Sequence, residues 1–586
     1  MFNKIVVDRF YKYLLPMFMT AFALQLSDFM DSLVVSNLLN SDALAVINMS
    51  GAFNSVISAL YSLFGIGGSI CFAKYQGQAD KLTAGKYYSM SITCAIVSSL
   101  AIVLACTAYP DVLSNLLCKS DALRPMFDSY INVQIMVAPF MCVIMTAVSF
   151  LNAAGHPIES MVFNIGFNVS NILLDIVNIK YLHMGVEGAA YATAVSLIVW
   201  AIGLSLWLWF RKTQLRYQLK ESLDIKIILE IISFGFAIAL SQVGFSIKIA
   251  YSNAMLNELF GKQGIVTFSV CMQIMSIMSV FLSGMLRTVT PLTSMLNGQK
   301  DYVGIRQAIR RGMILLGIVS FAVVFFIFSC PELLLKLYNS YDPATVEIAV
   351  SEVRIFVLAL GFRSLYMLYM SYINALGRKK YSLFISLFDG FIGILLFAKP
   401  MVALMGRFGF WWSYPAVSIV LCIFIIIFNI AIAVASKDKL EPFFLTQKKK
   451  TDSLHYAYRR NDISSLSEAS VAVSEYVRSK GFPPKVCYAV GLIAEEYPMF
   501  LVNHMKHTKL IDLSVSCVDD TVILGYRYVG KAHGGDWEDN NKNVENDIII
   551  YNYIGEPEYA YAMGVNIINI YIKEADYKNE EKSTDN

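Results

Sequence analysis

From Asn164 to Thr193 the chain reads NIGFNVSNILLDIVNIKYLHMGVEGAAYAT. Most of this stretch is apolar enough to sit in lipid, yet it carries Asn164, Asn168, Asn171, Asp175 and Asn178, spaced four, three, four and three residues apart. At about 3.6 residues per turn all five fall on one face of one helix, with Phe, Ile, Val and Leu on the other faces. A carboxylate at mid-membrane depth costs about 3 kcal/mol on insertion scales, so Asp175 is expected to face a protein interior or a water-filled cavity. Two readings fit the stripe. It is a polar seam that joins helices by hydrogen bonds, or it is a cation or proton site built around its one acid. The acid favours the second.

The wider composition agrees. The 586 residues are 56% hydrophobic and only 16% charged, with a mean hydropathy of +0.55. That is too apolar for a soluble protein of this size and indicates an all-α polytopic membrane protein. The net charge of +3 says little about partners, and nothing in the pattern points to nucleic acid. The ten cysteines are scattered, without a CxxC or a Cys/His cluster; no disulfide, zinc site or cofactor is expected. The basic N-terminus MFNKIVVDRFYKYLLPMF leads into an apolar segment with no small-residue cleavage site. It reads as a retained first helix, not a signal peptide.

Apolar segments long enough to span a bilayer fall near residues 14–38, 46–72, 87–109, 129–151, 161–180, 187–210, 227–256, 264–290, 312–338, 350–376, 381–405 and 411–436, which predicts twelve transmembrane helices. Lys and Arg gather at the N-terminus and after the second, sixth, eighth and tenth segments, as in Arg211, Lys212, Arg216, Lys220 and Lys226. The positive-inside rule then puts both termini in the cytoplasm, with the chain in the cell (plasma) membrane, and a bacterial source is expected. The two halves repeat. Gly77-Gln-Ala-Asp80 corresponds to Gly298-Gln-Lys-Asp301, and Asn152-Ala-Ala-Gly155 to Asn374-Ala-Leu-Gly377, at nearly one offset. Six helices per half makes this a parallel repeat, with a substrate path between the halves near the midplane. The expected division is 1–218 (first half, cation-site lobe), 219–436 (second half), 437–452 (basic juxtamembrane linker), 453–575 (a small cytoplasmic α+β domain) and 576–586 (disordered tail).

The halves differ in chemistry. The first holds Asp31 and Asp175; their counterparts fall at Ser252 or Asn253 and near Phe397. The second instead carries Lys248, Arg287, Arg363 and Asp389 in apolar segments. Arg287 and Arg363 either snorkel or pair. Lys248 lies near the middle of its helix and is either a cavity residue or the partner of an internal acid such as Asp389.

These residues carry a resemblance. Pro16 followed by Asp31 within FMDSLVV, AAGHP after the fourth segment, NILLD at Asn171–Asp175 and GVEGAAYAT at Gly185–Thr193 resemble the multidrug and toxic compound extrusion (MATE) transporters over about residues 8–436. The match is strong in the first half and weaker in the second. The resemblance implies an H⁺ or Na⁺ site at Asp31, Asn171, Asp175 and Thr193; Asp28 is not part of that pattern. Pro16 matches the helix 1 proline at which family members bend, or is a first-turn proline. Asn164, Asn168, Asn178 and Lys248 are candidate cavity-lining residues. The physics stands beside the family. Two carboxylates facing one low-dielectric cavity can share a proton, or coordinate Na⁺ with the oxygens of Asn171 and Thr193. Thr193 has a plainer alternative, a bond back to its own helix.

After Ser436, Lys437, Lys439 and Lys448–Lys450 form a basic stretch that reads as a positive-inside anchor, with specific anionic-lipid binding as the alternative. Asp462 to Lys480 and Pro484 to Lys506 read as amphipathic helices, and Leu510–Cys517, Thr521–Tyr528 and Gly564–Lys573 as strands. VCYAVGLIAEEYPMFLVNH resembles the ATP-binding domain shared by anti-sigma-factor serine kinases and histidine kinases. Glu496 and His504 fit that motif, but Phe500 stands where the family has a Mg²⁺-binding Asn, and Asn503 is out of register. Tyr528 stands where an Asp reads adenine, and no glycine-rich lid is evident in ENDIIIYNYIGEPEYAYAMG. The domain is expected to be degenerate, without ATP hydrolysis, and to dock or regulate. His504, His507 and His533 lack metal-ligand spacing.

The functional expectation is a secondary transporter, not an enzyme. It is a cation-coupled (H⁺ or Na⁺) antiporter exporting amphipathic, cationic small molecules across the membrane by alternating access. Its partners are the lipid bilayer, a small-molecule substrate and a cytoplasmic regulatory protein at the tail. A flippase for a lipid-linked saccharide or other anionic lipid is the first alternative, motivated by Lys248, Arg287 and Arg363. A membrane-anchored sensor with the tail as kinase is the second.

Overall fold

The structure, a computed structural model, describes residues 4–39, 41–78, 80–118, 123–211, 215–218, 224–332, 343–437, 439–447, 453–459, 464–504, 510–518, 520–530 and 557–573. Twelve long helices run in order: α1 (Lys4–Leu38), α2 (Met49–Gly77), α3 (Lys81–Ala108), α4 (Arg124–Ala154), α5 (Pro157–Tyr181), α6 (Gly185–Phe210), α7 (Ile225–Gly261), α8 (Gln263–Gly298), α9 (Tyr302–Ser329), α10 (Pro343–Ala375), α11 (Lys379–Met405) and α12 (Arg407–Ala435). Among the described residues, ten of these are long and apolar enough to cross a membrane; α1 and α10, at 35 and 33 residues, pack in the same bundle. The chain is an all-α multi-pass membrane protein with a small C-terminal sheet domain.

Capping residues explain where helices begin. The ninth helix starts at Tyr302, well before its apolar run near 312, because the Asp301 side chain accepts from the Gly304 N–H at 2.8 Å. Asp80 caps α3 in the same way, accepting from the Thr83 N–H at 2.9 Å. Gly155 ends α4 at φ +99° and Gly377 follows α10 at φ +86°, left-handed positions that glycine adopts without strain. Both motif pairs of the repeat therefore do the same local work. The halves also touch through them. A Cβ on Gly77 would lie 2.1 Å from the Met295 carbonyl oxygen, and one on Gly298 would lie 2.0 Å from that of Lys74. The ends of α2 and α8 are thus pressed backbone to backbone, each glycine serving the other helix. Pro16 sits well inside α1, which removes the first-turn reading; Thr20 Oγ1 donates to the Pro16 carbonyl at 2.9 Å.

The C-terminal domain is a five-stranded antiparallel sheet in the order β1-β2-β3-β5-β4. Its strands are β1 (Ser453–Arg459), β2 (Leu510–Val518), β3 (Thr521–Val529), β4 (Glu558–Ala562) and β5 (Val565–Lys573). Two helices, α13 (Ser464–Ser479) and α14 (Pro484–His504), cover one face. Strand alternation divides the burial. Ile568, Ile570 and Ile572 join the core under the helices with Leu524 and Tyr526. Val565 and Ile567, on the opposite face, join a cluster with Ile5, Val6, Phe10 and Tyr13 of α1. The sheet is therefore sandwiched between its own helices and the membrane domain. The connecting segment is pinned to the second half, where Tyr372 Oη donates to the Phe444 carbonyl at 2.7 Å and Arg306 meets Glu441 at 3.2 Å. The proposed disordered tail 576–586, Lys448–Lys450, His507, His533 and residues 545–556, where a glycine-rich lid would fall, lie outside the described residues.

Candidate functional site

The site begins with the polar face of α5. Asn164, Asn168, Asn171, Asp175 and Asn178 are all buried, as their spacing requires. They do different work. Asn164 Nδ2 donates to the Ser160 carbonyl at 2.7 Å and Asn178 Nδ2 to the Gly188 carbonyl at 2.9 Å. Both are taken up inside the helix or between helices, and neither lines the cavity described next. Asn168 Nδ2 donates to the Asn164 carbonyl at 2.8 Å, yet its side chain reaches the cavity wall. Within the stripe, Asn178 joins two helices by a hydrogen bond, whereas Asn168 reaches the cavity.

Between the halves lies a cavity of about 710 Å³. Its first-half wall includes Tyr61, Gln134, Asn168, Asn171, Asp175 and Thr193; its second-half wall includes Gln242, Ser283, Arg287, Thr290 and Ser371. Phe53, Ile57, Met141, Phe167 and Ile238 supply apolar surface. Asn171 holds the acid end together: its Nδ2 lies 3.5 Å from Asp175 Oδ2 and 3.4 Å from Thr193 Oγ1. Thr193 Oγ1 also donates to the Ala189 carbonyl at 3.2 Å, so the hydroxyl bonds its own helix and still offers a lone pair to Asn171. Asp175 is only 2% exposed. Asn171, Asp175 and Thr193 thus stand together on the cavity wall. Asp31 lies on α1; its side chain is outside the described residues. A π turn at Val177–Tyr181 begins two residues after Asp175, and a second, at Phe388–Ile392 of α11, contains Asp389. Such turns widen a helix locally and are frequent at functional sites.

Comparison with known proteins is decisive for the fold family. The family model for MatE matches residues 16–177 and 237–397, one block in each half. The chain belongs to the MatE family. This MatE protein is a secondary transporter, not an enzyme. It is similar to a multidrug export protein, MepA, of Staphylococcus haemolyticus (strain JCSC1435): 23% identical over 381 residues, covering 64% of this chain and 82% of that protein. Its fold matches an outward-facing multidrug resistance MATE family transporter of the MOP superfamily, with TM-score 0.69, 22% identity and coverage of 73% of this chain and 96% of that one. It also matches a MOP superfamily transporter from Pyrococcus furiosus whose binding pocket is described as having reverse polarity, with TM-score 0.67, 23% identity, and 71% and 93% coverage.

The second half of this MatE chain has its own buried ion cluster. Asp389 Oδ2 accepts from Arg363 Nη2 at 3.2 Å, Asp389 Oδ1 accepts from the Tyr366 hydroxyl, and Lys248 Nζ lies 3.6 Å from Oδ1 while donating to the Asp389 carbonyl at 3.0 Å. Lys248 is 5% exposed and lies outside the cavity lining; of its two readings the structure takes the one in which it partners Asp389. Tyr366 escaped the sequence reading because a tyrosine in an apolar helix carries no periodic signal. Tyr61 escaped it for the same reason, and Gln242 stands in its helix without the four- and three-residue spacing that marks the α5 stripe. Arg527 was hidden in the strand TVILGYRYV, although one cation in an alternating strand is itself a sign of a buried partner.

The C-terminal domain bridges both halves of the MatE fold. Arg527 on β3 meets Asp301 at 2.6 Å and Gln299 at 3.2 Å, beyond the end of α8. At the other half, a Cβ on Gly155 would lie 2.9 Å from Met563 Cα, and Lys81 Nζ stands 4.6 Å from the Tyr559 ring centroid. Phe500 and Tyr528 belong to the hydrophobic core of the domain.

Proposed function

We propose that this protein is a cation-coupled multidrug exporter, exchanging H⁺ or Na⁺ for amphipathic small molecules with a cationic group. The carrying observation is the buried Asp175 held with Asn171 and Thr193 on the wall of the cavity between the halves. A carboxylate on the wall of a low-dielectric cavity attracts cations. A proton, Na⁺ or the cationic group of a substrate can each bind there, and Asp31 on the same half is proposed to share that role. If the coupling ion and substrate exclude each other there, entry of one drives release of the other. The site biases a two-state equilibrium by its different affinity in the two states.

The MepA relatives, by their name as export proteins, support the direction of transport. The basic loops support cytoplasmic termini. The flippase reading keeps only Arg287 of its three cations, because Lys248 and Arg363 are both engaged by Asp389. The sensor-kinase reading is opposed by Phe500 and Tyr528, buried core residues where metal and adenine ligands are required. The tail domain is instead a docking module: seated across both halves where α2 and α8 meet, it holds that side closed, and a regulatory partner would act by competing for it.

The test uses everted membrane vesicles with an imposed Na⁺ or pH gradient and a fluorescent cationic dye. Gradient-driven dye movement in wild type, lost in both Asp31→Asn and Asp175→Asn, is the expected result. Movement that survives both substitutions would exclude the acid-site mechanism.

A further inference from the structure

Arg287 raises a question that export of simple cations does not answer. Among the described residues lining the cavity, Asp175 is the one acid and Arg287 the one base. Among the described residues Arg287 makes no ion pair, whereas Lys248 and Arg363 share Asp389. It lines the cavity, so it is not a lipid-facing side chain reaching for headgroups. A permanent guanidinium in a mostly apolar chamber is costly unless something balances it. An exporter taking only cations would be better served by a neutral residue, because a fixed positive charge repels them.

The two charges sit at different depths. The Pro157 end of α5 and the Gly298 end of α8 lie on one side of the bundle, since the residues just beyond both, Gly155 and Asp301, touch the C-terminal domain. At 1.5 Å per residue, Asp175 stands roughly 27 Å from that side along α5 and Arg287 roughly 17 Å along α8. The chamber is therefore polarised along the transport direction, with apolar surface from Met141 and Ile238 at a depth of about 20 Å, between the two charges.

We infer that Arg287 is an anion-binding subsite and that the substrates of this transporter are zwitterionic amphipaths. They carry a carboxylate or sulfonate that docks on Arg287 and a cationic group directed toward the Asp175 end. A guanidinium presents two parallel N–H donors to a carboxylate, so the contact selects geometry as well as charge. The inference rests on the export reading for its biological meaning, but the binding it predicts is measured without a gradient.

Rhodamine B and its ethyl ester supply matched probes: both carry the cationic xanthene, and only the first has a free carboxylate. Binding to the purified full-length protein is followed by fluorescence anisotropy, with thermal melting as the control for folding. Wild type should bind rhodamine B about tenfold more tightly than the ester. Arg287→Gln should bring the two within about twofold, chiefly by weakening rhodamine B, and Arg287→Lys should keep part of the preference. Equal or tighter binding of the ester by wild type, no binding of either dye, or a preference that survives Arg287→Gln in a folded variant would overturn the inference. Gradient-driven vesicle transport of the ester without preference for rhodamine B would leave the exporter standing and remove only the anion subsite.

Discussion

Arg527 Nη1 donates to Asp301 Oδ2 at 2.6 Å, and both side chains are nearly buried, at 10% and 7% exposure. Asp301 does two things at once: Oδ1 caps α9 and Oδ2 anchors a strand of the C-terminal sheet. Burial alone would push its carboxyl up. The Arg527 charge and the Gly304 N–H outweigh burial and hold it below its ordinary 3.8. Removing one partner of such a pair leaves a buried charge, which costs about 3 kcal/mol, or roughly a hundredfold in a docking equilibrium. Arg527→Ala should therefore release the domain from the bundle. The expected result is faster amide exchange at residues 152–155 and in β5, with the core under α13 and α14 unchanged.

The same pair gives a pH dependence. A carboxyl whose folded pKa is lowered contributes stability above its unfolded pKa and loses it as pH falls through the folded value. Docking should thus be insensitive to pH from about 8 to about 5 and weaken only below about 4. Crosslinking of a cysteine pair across the sheet and α1, measured along a pH series, checks this. Release on going from pH 8 to 6 would point to some other titrating group.

Gly77 and Gly298 let the ends of α2 and α8 meet backbone to backbone. A side chain at either position meets a backbone carbonyl at 2.1 or 2.0 Å, which no rotamer change relieves. Gly77→Ala should separate the ends of α2 and α8 and move the closed population by tenfold or more, about 1.4 kcal/mol. Labelling of a single cysteine placed on the cavity-facing side of α8 near Met295, from the domain side of the membrane, should accelerate accordingly.

The ion cluster in the second half predicts an asymmetry. Lys248, Arg363 and Asp389 carry two positive charges and one negative. Asp389→Asn strands two buried cations and should cost about 3 kcal/mol or more. Lys248→Met leaves Arg363 and Asp389 as a neutral pair and should cost much less. Thermal melting of the two variants in one detergent decides the order; equal losses would contradict the pairing.

The division between what could be read from the sequence and what could not has physical reasons. Helix positions, the repeat and the α5 stripe were legible because lipid imposes a long apolar run and a polar residue within one is conspicuous. The exact helix starts were not, since α9 begins at a capping aspartate inside a polar loop. Whether a polar side chain in the stripe is seam or site depends on the neighbouring helix: Asn178 meets the Gly188 carbonyl, whereas Asn171 meets Asp175 and Thr193. Strands β1 and β4 were missed because SLHYAYR and EYAYA are short and half polar. The docking of the domain was invisible for a different reason. It joins Arg527 to Asp301 across 226 residues, and no local pattern carries such a contact.

The C-terminal domain should not use nucleotide. Phe500, 8% exposed, and Tyr528, 1% exposed, fill the interior where ligands to metal and adenine would be needed. Mg²⁺-ATP at millimolar concentration should leave the melting of the full-length protein unchanged and yield no phosphate. A clear upward shift in melting would restore a nucleotide site.

The most direct test of the central claim is a count of ions against substrate. Purified protein is reconstituted in liposomes loaded with a transported dye, and H⁺ or Na⁺ movement is recorded as the dye crosses, with no membrane potential imposed. Wild type should move one of the two ions opposite to the dye in a fixed ratio, and Asp175→Asn should abolish that ion flux while the protein remains folded. Dye movement with no counter-flux of either ion, or an unchanged ratio in Asp175→Asn, would contradict the account.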